Sequence, residues 1–139
     1  MKNIKLSFKG YWREEKRQYI PHFTGIYLVY SCKYCQSEDA VSLSDLIYIG
    51  QSEDVNSRIS DHCQKNDFTP TLKEGETLCF SVAAVNHELL DLVENALVCA
   101  QKPTCNKRLT DSYRYENAGF DIDGRCALLK YTSFTISNP

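Results

Sequence analysis

Two short runs of β-branched and aromatic residues most constrain how this chain folds. The first, residues 25–31 (GIYLVYS), opens with a glycine, and the second, residues 46–50 (LIYIG), ends with one. Short apolar runs of this composition, bounded by polar residues, are typical of β-strands. We predict that the two runs pair, which would bring Tyr27 and Tyr48 close together. The connection, residues 32–45, is polar and predicts a long excursion rather than a tight turn.

Helical periodicity appears twice after these strands. Ser52 is a suitable N-cap, and apolar positions at Val55, Ile59 and Cys63 predict a helix over residues 53–65. Residues 78–85 (LCFSVAAV) predict a third, largely buried strand. A second helix is predicted to open at Asn86 or His87 and to end before Pro103. Its apolar stripe consists of Leu89, Leu90, Val93, Ala96, Leu97 and Ala100.

This element order predicts an α+β fold in which a small three-stranded antiparallel sheet packs against helices. A length of 139 residues is that of one globular domain, so we expect residues 1–139 to form a single unit. Additional terminal elements are expected: an edge strand at residues 4–8, a loop or short helix at 13–18, a helix around Tyr113 and a late strand near residues 128–136. The pattern does not place these elements against the sheet.

Charge is distributed unevenly along the chain. The formal net charge is −2, with +4 in residues 1–20, −8 in residues 33–94 and +2 in residues 102–130. The two ends therefore form either a basic rim around an acidic middle or simply a solvated surface. Strong nonspecific DNA affinity is not expected. No apolar stretch reaches the roughly 18 residues of a membrane helix, and residues 1–9 lack a signal-peptide core, so we expect a cytoplasmic protein without membrane contact.

Seven cysteines are an unusually high number for this length. Without a secretory signal we expect reduced, unpaired thiols, with Cys79 and Cys99 acting as small apolar residues. Cys32 and Cys35 have the spacing of half a zinc site. No second pair has matching spacing, so Cys63, Cys105, His22 or His87 would have to complete such a site.

Four polar residues follow the two tyrosines in a fixed order: Arg58 and His62 on the first predicted helix, Glu94 on the second, and Asn106 after it. Together with the tripeptides Gly25-Ile26-Tyr27 and Tyr48-Ile49-Gly50, this set resembles the active site of the GIY-YIG nucleases. The resemblance covers roughly residues 24–107. It implies an active site composed of Tyr27, Tyr48, Arg58, His62, Glu94 and Asn106.

The resemblance also implies a role for each residue. Glu94 would hold one divalent cation, Mg²⁺ or Mn²⁺, and Arg58 would grip phosphate oxygens. His62 would accept or relay a proton or orient a tyrosine. One tyrosine would activate water and the other support it, and which does which stays open. Asn106 would hold the active-site elements together.

The expected function is a metal-dependent endonuclease that hydrolyses phosphodiester bonds in DNA. Gln51 stands where several relatives have a lysine, and an amide brings no charge to a phosphate. The alternative is a catalytically inactive nucleic-acid or protein interaction module on the same fold. No separate DNA-binding region is evident, so we expect a specificity-providing partner or a homo-oligomer. A third reading, a cysteine-based zinc or redox protein, would require stoichiometric zinc.

Overall fold

The computed structural model describes residues 1–107 and 112–139. The strands in this part of the chain are β1 (Lys2–Arg13), β2 (Gly25–Cys35), β3 (Ala40–Ser52), β4 (Thr77–Ala84), β5 (Ala118–Gly124) and β6 (Ser133–Ile136). The α-helices are α1 (Val55–Gln64) and α2 (Leu90–Gln101). Short 3₁₀ helices cover Glu14–Tyr19, Thr69–Thr71 and His87–Leu89. No helix among these residues has the length and hydropathy required to cross a membrane.

The strands form one mixed sheet in the order β3-β2-β4-β1-β5-β6. β1 runs parallel to β5, and the other neighbours are antiparallel. The α+β class is confirmed. The sheet has six strands rather than the three predicted, because β1, β5 and β6 extend it. The strand predicted at residues 4–8 is confirmed as part of β1, but its predicted position at the edge of the sheet was wrong. Ile4, Leu6 and Phe8 are buried, and β1 has a strand on each side.

The two tyrosine-bearing strands pair as predicted, and they are longer than predicted. Cα partners run continuously from Gly25↔Ser52 to Cys35↔Ala40 with two register irregularities. Residues 32–45 therefore form a hairpin closed by a tight turn at residues 36–39, and the predicted long excursion was wrong. Val41 and Leu43 on its return strand pack against the core, which explains why a polar-looking segment continues the sheet.

Each face of the sheet carries one helix. α1 covers a core that includes Val29, Ile59 and Val82, whereas α2 covers the larger core around Leu28 and Leu97. β2 lies between these two layers and is buried on both faces over most of its length. The predicted helices are confirmed, but the N-cap of α1 is Asp54, whose side chain accepts from the Ser57 N–H, rather than Ser52.

Beyond α2, the chain adds strands rather than a helix. Tyr113 lies in irregular structure, so the predicted helix around it is wrong within residues 112–117, and residues 108–111 lie outside the described part. The late strand predicted at 128–136 is confirmed only as β6, and β5 was missed. The buried Asn95 amide in α2 binds the carbonyl of Ser112 at 3.1 Å and the N–H of Arg114 at 2.9 Å.

Two of the seven cysteines are joined. Cys32 of β2 and Cys79 of the neighbouring β4 form a disulfide. The expectation of unpaired thiols is wrong for this pair, because the sheet places their side chains together on one face. Cys35 is exposed at the end of β2, three positions past the last buried residue of that strand. The zinc half-site that the Cys32–Cys35 spacing would allow is therefore not formed, and no cluster of three metal-ligating side chains occurs in residues 1–107 and 112–139.

The glycines of the two tripeptides allow close packing. A Cβ on Gly25 would lie 2.1 Å from the carbonyl oxygen of Ala83 on β4. A Cβ on Gly50 would lie 2.3 Å from both the hydroxyl oxygen and the ring carbon Cζ of Tyr27, its direct partner across the β2–β3 ladder. The Tyr27 ring thus crosses the backbone of β3 at a point where no side chain fits.

We predict that Gly50→Ala lowers the free energy of unfolding by about 2 kcal/mol, because the added methyl group must displace a buried aromatic ring. Gly119→Ala is the matched control, since its Cβ would lie 3.1 Å from the Asn3 side chain and otherwise make only ordinary contacts with Thr135 and Met1, and a loss below about 1 kcal/mol is expected. Urea unfolding followed by circular dichroism measures both. Equal losses in the free energy of unfolding would show that the Tyr27 ring does not exclude a side chain at position 50.

Candidate active site

Tyr27 and Tyr48 lie together where β2 and β3 pair. Their ring centroids are 6.1 Å apart, and both rings contact His62 of α1, each at 5.7 Å between centroids. Phe68, in the loop after α1, closes the cluster against Tyr48 and His62. The predicted proximity of the two tyrosines is thus observed, and the aromatic cluster fixes the orientation of the histidine ring between them.

A chain of hydrogen bonds runs through this cluster. The Tyr27 hydroxyl lies 2.7 Å from His62 Nε2, and His62 Nδ1 lies 2.7 Å from Asp67 Oδ2. Tyr27 is 1% exposed and His62 is 5% exposed. The side chain of Asp67 is 38% exposed. The chain of bonds therefore starts in a dry interior and ends at a carboxylate that reaches water.

Burial dominates the electrostatics of this chain. It raises the pKa of Tyr27 well above its ordinary value, with the charge of Arg58 acting in the opposite direction. It also lowers the pKa of His62, although the hydrogen bond to Asp67 opposes this shift. Both groups are therefore neutral near pH 7, and His62 retains a basic nitrogen.

Arg58 lies on the exposed margin of the site. Its side chain is 43% exposed, and one guanidinium nitrogen donates to Asp61 Oδ2 at 2.9 Å. Lys65 also binds that carboxylate, at 3.1 Å. The guanidinium charge acts on the pKa values of both Tyr27 and His62. The predicted convergence of Arg58 and His62 on one site is consistent with this coupling.

Glu94 lies on α2 and is half-buried. Burial raises the pKa of its carboxyl, and the charge of Asp91 raises it further. The Gln51 amide of β3 donates to both acids, to Asp91 Oδ1 at 2.7 Å and to Glu94 Oε1 at 3.1 Å. Glu94 also contributes to the raised pKa of Tyr27, which shows that the two groups are electrostatically coupled.

Asn106 binds the backbone of β3 at the outer edge of the sheet. Its Oδ1 accepts from the Ile49 N–H at 2.9 Å, and its Nδ2 donates to the Ile49 carbonyl at 2.9 Å. The adjacent Cys105 N–H donates to the Ile47 carbonyl at 2.8 Å. The segment after α2 thus satisfies the free edge of the strand that carries Tyr48.

Comparison with known proteins agrees with this geometry. A family model described as the GIY-YIG catalytic domain matches residues 23–108. This chain belongs to the GIY-YIG family. Domains of this family are nucleases, so the family assignment supports nuclease activity on DNA at the level of the family.

A curated relative of this GIY-YIG chain is the UvrABC system protein C of Methanosarcina acetivorans. It is 32% identical over 100 residues, which cover 69% of this chain and 17% of the relative. The chain thus spans about a sixth of the length of that protein. No solved structure shows a significant match to the present chain.

The donor set of the GIY-YIG site suits a hard divalent cation. Glu94 and Asp91 supply carboxylate oxygens on one side of the site, where Gln51 Nε2 now binds an oxygen of each. Mg²⁺ is commonly held by one or two carboxylates while it keeps several waters and binds substrate phosphate. Glu94, with Asp91 beside it, therefore fits such an ion without a complete protein cage.

Two acidic residues of the GIY-YIG site were not foreseen. Asp91 precedes Glu94 by three positions, a helical spacing that places both on one side of α2. Asp67 follows α1 and returns to His62. Its sequence signal is Asn66, a residue type that favours the left-handed conformation ending a helix, and Asn66 does have a φ of 54°.

We predict that Asn106→Ala lowers the free energy of unfolding by about 2 kcal/mol, because both polar groups of the Ile49 backbone lose their partner. Thr104→Ala, at an exposed position of the same segment, is the control and should change it by less than about 0.5 kcal/mol. Thermal and urea unfolding measure the difference. An Asn106 variant as stable as the control would show that the hydrogen bonds of Asn106 to the Ile49 backbone do not stabilise the fold.

Proposed function

We propose that this chain is a metal-dependent endonuclease that hydrolyses phosphodiester bonds in DNA. The observation that carries the proposal is the hydrogen bond from the Tyr27 hydroxyl to His62, formed in a cluster that is electrostatically coupled to Arg58 and Glu94. Such a hydrolysis requires a base for water, a cation for the phosphate oxygens and stabilisation of the leaving oxygen. The cluster offers a group for each requirement.

Differences in exposure indicate the side from which DNA approaches. Tyr27 and His62 are buried, Tyr48 and Glu94 are half-buried, and Arg58 is exposed. A phosphate that enters from solvent therefore meets Arg58 first, whose planar guanidinium binds two phosphate oxygens at once. Tyr48 and Glu94 are intermediate in exposure, and Tyr27 is the most buried of these side chains.

The proton of the attacking water leaves through Tyr27. As the water oxygen bonds to phosphorus, its proton passes to the Tyr27 oxygen, and the Tyr27 proton passes to His62 Nε2. This transfer leaves Tyr27 neutral, which matters because burial makes a phenolate costly here. His62 becomes an imidazolium that remains bonded to Asp67. Tyr48, on the adjacent strand β3, helps to hold the attacking water in position.

Glu94 is the proposed metal ligand. A bound Mg²⁺ or Mn²⁺ supplies Lewis-acid stabilisation of the phosphate and of the leaving oxygen. The half-buried carboxylate accepts one bond from Gln51. No ion pair in residues 1–107 and 112–139 occupies Glu94.

One observation favours a second function, an interaction module without turnover. Gln51 binds Asp91 and Glu94 with its amide and adds no positive charge beside these two acids. In that case DNA or a protein binds to the fold and is not cut. Cleavage of DNA by the parent protein separates the two functions.

We predict that Glu94→Gln reduces cleavage of supercoiled plasmid at least 10²-fold in Mg²⁺ or Mn²⁺, because the amide cannot neutralise a cation. The variant should be at least as stable as the parent, since burial disfavours the Glu94 charge. Gel analysis of nicked and linear plasmid, with and without a chelator, gives the rates.

Glu74→Gln, the same change at an exposed turn residue, is the control and should cut like the parent. Equal cleavage by the Glu94 and Glu74 variants would exclude Glu94 as the metal ligand. If the parent cuts neither plasmid nor a branched oligonucleotide in any metal but still binds DNA, the interaction-module function is correct.

A further inference from the structure

The end of α1 brings Asp67 to His62 through its backbone. The Asn66 N–H donates to the Cys63 carbonyl and the Asp67 N–H to the His62 carbonyl, each at 3.1 Å. Asn66 has a φ of 54°. These two bonds around a left-handed residue define a Schellman motif, in which the residue after the left-handed position returns to the last turn of the helix.

The side chains of the same two residues are then in contact. In Schellman motifs this position frequently forms an apolar contact with the last turns of the helix. Here Asp67 Oδ2 instead lies 2.7 Å from His62 Nδ1. The pair is thus joined by a backbone bond and a side-chain bond, so the carboxylate is held in place without long-range packing.

The hydrogen-bonding capacity of a carboxylate fixes the tautomer of His62. An ionised carboxylate only accepts hydrogen bonds, so Nδ1 must carry the proton that it donates to Asp67. In the neutral ring, Nε2 is then an acceptor, and the Tyr27 hydroxyl donates to it across 2.7 Å. Both bonds are thus donated in the same direction, from Tyr27 to His62 and from His62 to Asp67.

Other charged and titratable groups around the ring do not replace this contact. Arg58 and Asp61 lie on the same helix, and their effects on the pKa of His62 have opposite signs. Tyr27 on β2 and Tyr48 on β3 contact the ring from the sheet. Asp67 is the carboxylate within hydrogen-bond distance of Nδ1 in the described structure.

We propose that Asp67 is the positioning residue of this site: it holds His62 in the tautomer that accepts the Tyr27 proton and stabilises the imidazolium that results. This inference rests on the proposed nuclease function. The arrangement is physically similar to that of hydrolases in which a carboxylate orients a histidine that takes a proton from a hydroxyl. Here the hydroxyl belongs to a tyrosine, and the proton originates from water.

Asp67→Asn tests the tautomer directly. The Asn amide can donate to Nδ1, which moves the ring proton to Nε2 and leaves Tyr27 without an acceptor. Long-range ¹H–¹⁵N spectra of the metal-free full chain at neutral pH report which nitrogen is protonated, with His62→Gln to assign the signal among the three histidines. We expect protonated Nδ1 in the parent and partly or fully protonated Nε2 in the variant.

Kinetics test the consequence for catalysis. Asp67→Asn should lower kcat for DNA cleavage about 10²-fold while KM changes less than about 2-fold, the effect of losing one proton-transfer partner. Asp67→Glu should recover part of the rate, because it restores a carboxylate. Asp121→Asn, an exposed change on β5, is the control and should match the parent.

The outcomes separate the two proposals. A parent that cuts DNA, combined with an unchanged tautomer or an unchanged kcat in the folded Asp67→Asn protein, would overturn the role of Asp67 and leave the nuclease function intact. A parent that cuts no DNA would overturn the nuclease function, and Asp67 would then be a helix-capping residue only. Circular dichroism melts establish that the variants are folded.

Discussion

The packing of the Tyr27 ring over Gly50 is the contact on which the site depends. The register of β2 against β3 makes these residues direct partners, and any side chain at position 50 would occupy the space of the tyrosine hydroxyl. The hydroxyl is therefore held above the neighbouring strand and directed at His62. Both tripeptides serve this arrangement, since Gly25 also lets β2 approach β4 closely.

Polar side chains hold the remaining elements in position around this contact. Asn106 satisfies the free edge of β3, and Asn56 of α1 binds the Ile20 carbonyl at 2.6 Å and so ties the segment before β2 to the helix. The Gln51 amide donates hydrogen bonds to both Asp91 and Glu94 of α2. Amides are suited to these roles because each combines donors and an acceptor without the cost of burying a charge.

The sequence was sufficient where a pattern is local. The tyrosine-bearing strands, both helices and the strand at residues 78–85 follow from apolar periodicity, and the structure brings the tyrosines, His62 and Arg58 to one region. The six-stranded sheet was not predictable, because β1 gains its two neighbours only through pairing with β4 and with β5, which lies more than 100 residues away. The Cys32–Cys79 contact depends on the same kind of nonlocal pairing.

The missed site residues have a different cause. Asp67 looks like an ordinary loop acid until Asn66 adopts the left-handed conformation and turns the chain back. Asp91 is exposed, and it is linked to Glu94 only because Gln51, on another element, donates to both. Each joins the site through one partner, so its helical spacing or the preceding Asn66 is a weak signal that does not identify it alone. The proposed proton path from Tyr27 through His62 to Asp67 is visible only in the assembled fold.

The most direct test of this account is the single-turnover rate of cleavage of a DNA oligonucleotide by Tyr27→Phe in Mg²⁺. The substitution keeps the ring over Gly50 and removes only the hydroxyl, so the protein should fold with an unchanged secondary structure. The proposed mechanism predicts a rate at least 10²-fold below that of the parent, the scale of losing a positioned proton acceptor. Cleavage at the parent's rate would show that the water does not lose its proton through Tyr27 and would contradict the proposed mechanism.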